Sequence, residues 1–168
     1  AAKLALDQLE RDLQSAIVRD DGNQWIDARI LGTNDLAAHG WKLDDAQLLK
    51  PDTVSMDVLA ARAPGIASAK FGRSGIWLRF VASEYDSKTG ASAPRAIAYQ
   101  IARLGISNST GSPVRYSLFR TIMSAQKTFD GVLENVFSAS APAELIQPSR
   151  DEVIANNVVD FGVWISKR

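Results

Sequence analysis

The 168-residue chain has no cysteine, which removes thiol catalysis, thiolate-bound zinc and disulfide stapling at once. That fits either a reducing cytosol or an exported bacterial protein that avoids thiols, and composition does not choose between them. A single histidine, His39, leaves a Ser-His-Asp triad one base to draw on and a zinc centre short of nitrogen ligands. Followed by Gly40-Trp41, His39 is read as a solvated loop residue. No basic run exceeds two residues, and Lys plus Arg (19) balance Asp plus Glu (19). A duplex-binding protein needs clustered cations to neutralise phosphates, so no nucleic-acid partner is expected. No apolar run is long enough to span a membrane, and no signal peptide is visible. The Gly-rich segment Gly72-Arg73-Ser74-Gly75 is too short for a phosphate loop and leads into a strand instead of a helix.

What is present is ordinary for a globular protein: 46% apolar and 23% charged residues. A chain of this length buries roughly 70% of its unfolded surface in one core, enough to fold without a staple. One domain over residues 1–168 is expected, divided into an opening helix (1–20) and a β-rich head (24–168). The first residues, Ala1-Ala2-Lys3-Leu4, carry neither Met nor an N-cap, so the chain is expected to start inside a helix whose upstream part was removed. Loss of an initiator methionine alone is the plainer alternative.

Within residues 1–20, Ala2, Leu6, Leu9, Leu13, Ala16 and Ile17 recur at three- and four-residue steps and form one apolar stripe. The stripe is expected to cover a sheet. Asp20-Asp21-Gly22-Asn23 ends the helix with turn chemistry. Residues 24–31 and 51–62 read as short strands, and 40–45 as a loop or edge. Three strands follow more clearly, at 75–81, 96–104 and 114–123. Ile76, Leu78 and Phe80 share one face, as do Ile97, Tyr99 and Ile101, while Tyr116, Leu118, Arg120 and Ile122 alternate with Arg115, Ser117, Phe119 and Thr121. The connections Asp86-Ser87-Lys88-Thr89-Gly90 and Ser107-Asn108-Ser109-Thr110-Gly111 each place a glycine where a left-handed residue turns the chain back, which predicts an antiparallel meander. Phe129, Val132, Leu133, Val136 and Phe137 predict a short helix over 127–138. Val159, Phe161, Val163 and Ile165 predict a final buried strand. One helix followed by antiparallel strands is an α+β fold with the helix packed on the sheet.

The ordered motifs resemble a known family. Leu9-Glu10-Arg11-Asp12-Leu13-Gln14-Ser15-Ala16-Ile17-Val18-Arg19-Asp20 looks like the end of the first helix in minor pseudopilins of the J type from type II secretion systems. Ser74-Gly75-Ile76-Trp77-Leu78-Arg79-Phe80 is similar to their early strand, and Tyr116-Ser117-Leu118-Phe119-Arg120 to a later strand with an aromatic-Arg step. Val153-Ile154-Ala155-Asn156-Asn157-Val158-Val159-Asp160-Phe161 resembles the stretch leading into a late strand of pilin-like proteins. These motifs cover about half the chain by the loose standard of short-motif matching. The family's apolar N-terminal helix with its peptidase site is absent, and residues 25–69 have no counterpart. The resemblance implies a pilin-like fold and a periplasmic head anchored in the inner membrane through the missing N-terminal helix. It implies a structural part in a type IV pilus-like pseudopilus serving protein secretion, with other minor pseudopilins as partners at the filament tip and neither enzymatic activity nor a cofactor. Those partners would meet the first helix.

Other chemistries read poorly. Adjacent acids in Asp44-Asp45 and Asp20-Asp21 point apart on an extended chain, whereas a glycosidase sets two acids about 5–9 Å apart across a cleft. Residues 86–90 offer oxygens but put Lys88 at the centre of any calcium loop and lack its bidentate acid, so they read as a turn. Of the four tryptophans, Trp77 and Trp164 sit in apolar strands and are expected in the core. Trp25 and Trp41 are the candidates for an exposed interface, together with Leu4, Arg11 and Val18, which lie off the apolar stripe of the first helix. The alternative function, a carbohydrate-binding β-rich module of an exported protein, requires Trp25 or Trp41 on a concave face. A hydrolase requires a polar cleft around His39 or an acid pair.

Overall fold

The computed structural model describes residues 2–19, 24–30, 76–86, 90–105, 113–130, 137, 145, 148–158, 161 and 163. Among them the chain is a mixed α and β protein. Its elements in order are helix α1 (Ala2–Gln14), strands β1 (Ile26–Ile30), β2 (Ile76–Asp86), β3 (Ala91–Gly105) and β4 (Val114–Ile122), helix α2 (Ala125–Asp130), a 3-10 turn (Arg150–Glu152) and strand β5 (Val153–Asn156). The strands form one five-stranded sheet in sequence order, antiparallel at every step.

The register follows from the alternation of side chains. Leu78 pairs with Tyr99, Phe80 with Ile97, Tyr99 with Arg120 and Ile101 with Leu118. Cross-strand partners share a face, so these residues line one side of the sheet. Trp77, Arg79, Val81, Ala96, Ala98, Gln100, Phe119 and Thr121 line the other, and all of them are buried. Because both faces are covered, the central strands carry large side chains in each direction, with Trp77, Phe80, Tyr99 and Phe119 all fully buried. The expected core place of Trp77 holds; Trp164 lies outside the described residues.

The β2–β3 turn closes through Gly90, whose φ of 68° is the left-handed conformation that glycine adopts without a Cβ clash. Pro94 lies inside β3 but beyond the stretch that pairs with β4, where a strand tolerates the missing N–H. At the end of that open edge, the Ala96 amide donates to the Thr128 hydroxyl of α2 (3.1 Å) and the Ala96 carbonyl accepts from Met123 N (2.9 Å). The helix α2 thereby blunts an exposed strand edge.

Several expectations need correction. The opening helix ends at Gln14, short of residue 20, because the chain then joins the sheet: Ile17 N donates to Val81 O (2.8 Å) and Ser83 N to Ser15 O (3.0 Å), forming a bridge between Ala16 and Ala82. The stripe expected to cover the sheet does so only in part: Leu9 and Ala16 pack on it, whereas Leu6 and Leu13 are exposed and Ala5 and Asp12 are the buried residues of the helix. In α2 it is Thr128 that is buried, and Phe129, expected inward, is 51% exposed. Among the described residues the last strand is Val153–Asn156. It stops where Asn157 takes a φ of 57°, a left-handed turn that asparagine tolerates. Of the strand expected at 159–165 only Phe161 and Val163 are described, both half-buried against the core, and the rest lies outside the described residues. The expected strand at 51–62, the loop at 40–45 and the turn at 107–111 lie outside the described residues.

Candidate interaction surface

Helix α1 carries the residues that decide how it is presented. A sequence with Ala5 and Asp12 seven positions apart places both on one line of the helix, two turns separated. Ala5 is small enough for close approach and sits with Ile101, Leu118 and Ala155. Leu9 and Ala16 pack against the cluster of Leu78, Phe80, Ala82, Ile97 and Tyr99.

Asp12 is the centre of a buried polar cluster. Arg120 of β4 grips its carboxylate with two bonds, from Nε to Oδ2 (2.6 Å) and from Nη2 to Oδ1 (2.8 Å). The Tyr99 hydroxyl of β3 donates to Oδ2 (2.5 Å), and Gln8 Nε2 donates to Oδ1 from one turn back (2.9 Å). Arg120 also reaches Glu84 Oε1 of β2 at 3.3 Å. One carboxylate thus ties α1 to β3 and β4, and through Arg120 to β2. Burial raises the Tyr99 phenol well above its ordinary range, and its bond to Asp12 adds to the rise. For Arg120, burial pulls in the opposite direction, but the hydrogen bonds and charge of Asp12 outweigh it and hold the guanidinium more firmly charged than usual. Breaking a buried pair by deleting one partner costs about 3–5 kcal/mol, because the other charge is left stranded.

The opposite face of the sheet holds a fully buried arginine. Arg79 pairs with Asp27 of β1, donates to the Phe137 carbonyl (3.1 Å) and lays its guanidinium 3.6 Å from the centroid of the Trp77 ring. Trp77 donates its indole N–H to the Leu145 carbonyl (2.9 Å). These bonds fasten Phe137 and Leu145 to β2.

With Asp12 turned inward beside Ala5 and Leu9, the other leucines of α1 are displaced onto its flanks. Leu4 (71%), Leu6 (60%), Leu13 (39%) and, just past the helix, Val18 (65%) are solvent-exposed. At about 100° per residue, Leu6 and Leu13 lie on one flank, roughly 100° around from the Ala5–Asp12 line. Leu4 and Arg11 lie on the other flank by the same measure. Arg11 is exposed and donates to the Asp7 carbonyl (3.2 Å) and to Gln8 Oε1 (3.0 Å). Of the residues singled out in the sequence, Leu4 and Arg11 therefore share one side of α1, and Val18 follows beyond its end.

Trp25 is separate from them. It is half-buried and lines an open, apolar hollow of about 360 Å3 with Ile17, Val81, Pro94, Phe129 and Phe137. Trp41, His39 and the acid pairs at 20–21 and 44–45 lie outside the described residues. Among the described residues no group of three or more acidic or histidine side chains is placed to hold a metal ion, and no helix is long and apolar enough to cross a membrane.

Sequence reasoning passed over Asp12 and Arg120 as a pair. A signal was there: Arg120 sits on an otherwise apolar strand face with Leu118 and Ile122, and a cation so placed demands an anion from whatever covers that face. Which carboxylate answers was not readable locally, since 108 residues separate the two.

The chain matches no protein-family model, and no curated protein or solved structure matches it either.

Proposed function

We propose that the chain is the periplasmic head of a pilin-like protein, a minor pseudopilin that works as a structural subunit of a secretion filament and carries out no chemistry. On this reading the fold is pilin-like: the first helix continues upstream into the inner membrane and lies along the antiparallel sheet. Partner heads contact the free side of the helix.

The observation that carries the reading is the presentation of α1. The helix is fastened by a buried carboxylate, yet it offers Leu4 and Val18 to solvent beside the exposed Arg11. A domain acting alone gains nothing from exposing such side chains on a firmly held helix, whereas an assembly subunit needs a fixed apolar surface with a charged group for specificity. The order of motifs from Leu9 to Phe161 supports the choice of family.

The test is assembly. The full-length protein is expected to co-purify with pilin-like proteins encoded beside it, and Leu4→Asp, Arg11→Glu or Val18→Asp is expected to weaken that association tenfold or more, the scale of one well-placed interface residue. Failure to bind every such neighbour, or binding indifferent to all three substitutions, contradicts the reading.

A further inference from the structure

The exposed flank of α1 opposite Leu4 has a pattern that identifies its occupant. Ala2, Leu6, Leu9 and Leu13 step by four, three and four residues, the spacing of the d and a positions of a two-helix seam. Ala2, Leu6 and Leu13 are exposed, and Leu9 is half-buried. Ala2, Leu6 and Leu13 are therefore not consumed by the chain's own sheet, which holds the helix by Ala5 and Asp12 and takes up only one side of Leu9.

We propose that this flank docks a second copy of the chain, with the two α1 helices antiparallel. Set against itself in reverse, the seam pairs Ala2 with Leu13 and Leu6 with Leu9 in each direction, so every small residue meets a large one or two leucines meet. The same register decides the charges. Lys3 and Glu10, both exposed, occupy the positions that follow Ala2 and Leu9 on the solvent side of the seam. In antiparallel pairs these positions face each other, so Lys3 of one copy meets Glu10 of the other, twice per dimer. A parallel pair brings no opposite charges together: Glu10 would meet Ala5, and Asp12 would meet Ile17. The self-complementary charges single out a second copy in reverse orientation. A two-fold contact of this kind is closed and stops at the dimer. The proposal goes beyond the filament reading and does not rest on it, because it uses the Leu6–Leu13 flank and leaves Leu4, Arg11 and Val18 free.

The test is sedimentation of the intact chain from micromolar to millimolar concentration, with circular dichroism to confirm that each variant folds. The wild type is expected to show a monomer–dimer equilibrium, and Leu6→Asp with Leu13→Asp a monomer throughout. Lys3→Glu alone or Glu10→Lys alone makes both charge pairs repulsive and is expected to weaken the dimer about 5- to 20-fold, less so in high salt. Lys3→Glu combined with Glu10→Lys restores opposite charges and is expected to bring the dissociation constant back to within about twofold of wild type, allowing for the modest size of exposed pairs. Orientation is read independently by spin labels, which the absence of native cysteine makes simple. From a rise of 1.5 Å per residue, labels on Asp7→Cys lie at nearly the same height across an antiparallel dimer, and labels on Gln14→Cys are offset by about 20 Å. A wild type that stays monomeric, a dimer that survives the Leu6 and Leu13 substitutions, a double charge swap that fails to rescue, or equal distances for the two labels overturns the proposal. Loss of pilin-like partners through Leu4→Asp with this dimer intact separates the two surfaces.

Discussion

Helix α1 and the face of β2–β3 beneath it bury opposite kinds of residue. In β2–β3 the large apolar side chains point inward, and Phe80 and Tyr99 stack at 6.3 Å between ring centroids. In α1 a carboxylate points inward and three leucines, Leu4, Leu6 and Leu13, point out. The strands obey hydrophobic alternation because their register permits only two faces. A helix has no such restriction. It can be rotated to any angle, and a bidentate bond between the buried Asp12 and the largely covered Arg120 outweighs the partial burial of two leucine side chains. Half-burying two leucines gains about as much as burying one fully, about 1.5–3 kcal/mol, while breaking the Asp12–Arg120 pair would cost about 3–5 kcal/mol. The ion pair therefore sets the angle, and the leucines are left for another surface.

The largest effect that breaks this contrast comes from Asp12→Ala. It is expected to lower unfolding free energy by about 3–5 kcal/mol, seen in urea unfolding as an earlier midpoint with little change in slope. Next, Tyr99→Phe removes a donor to a charged acceptor and is expected to cost about 1.5–3 kcal/mol. The same phenol predicts a pH dependence. Because its pKa is raised on folding, the folded state keeps a proton that the unfolded chain releases above the ordinary tyrosine value of about 10. Stability is then fully present below that pH and falls as the pH rises past it; a flat alkaline limb in wild type, or the same fall in Tyr99→Phe, contradicts the assignment. Third, Ala5→Leu, which restores conventional amphipathicity on the sheet-facing line, is expected to destabilise by about 1–3 kcal/mol through overpacking against Ile101 and Leu118. Smallest, Leu6→Ser in the monomer is expected to change stability by less than about 0.5 kcal/mol, as for a surface site.

The same contrast marks how far the sequence could be read. Period-two alternation at Ile97, Tyr99 and Ile101 and at Leu118 and Arg120 fixed strand faces correctly, and Gly90 announced the turn between β2 and β3. Those are local signals with local consequences. The rotation of α1 was not legible, because Asp12 finds Tyr99 87 residues away and Arg120 108 away. The leucine spacing was read as a stripe facing the sheet, where of Leu6, Leu9 and Leu13 only Leu9 packs. The short ladder that Val153–Asn156 makes with β4 before Asn157 turns the chain carried no such local signal. In α2, Thr128 displaced Phe129 from the interior because its hydroxyl answers the open Ala96 amide. Each misreading traces to a polar group whose partner is distant in sequence. Of the proposed contact residues, Leu4, Arg11 and Val18 were legible as exposed from their place off the stripe.

Single-cysteine labelling of α1 at low micromolar concentration tests the central claim most directly, since the chain has no cysteine of its own. With Asp12 and Arg120 setting the helix angle, a thiol placed at Leu6 or Leu13 is expected to react at close to the rate of a free peptide, and one at Ala5 to be strongly protected. Protection at positions 6 and 13 with rapid reaction at 5 would mean the leucines face the sheet, and the account would be wrong.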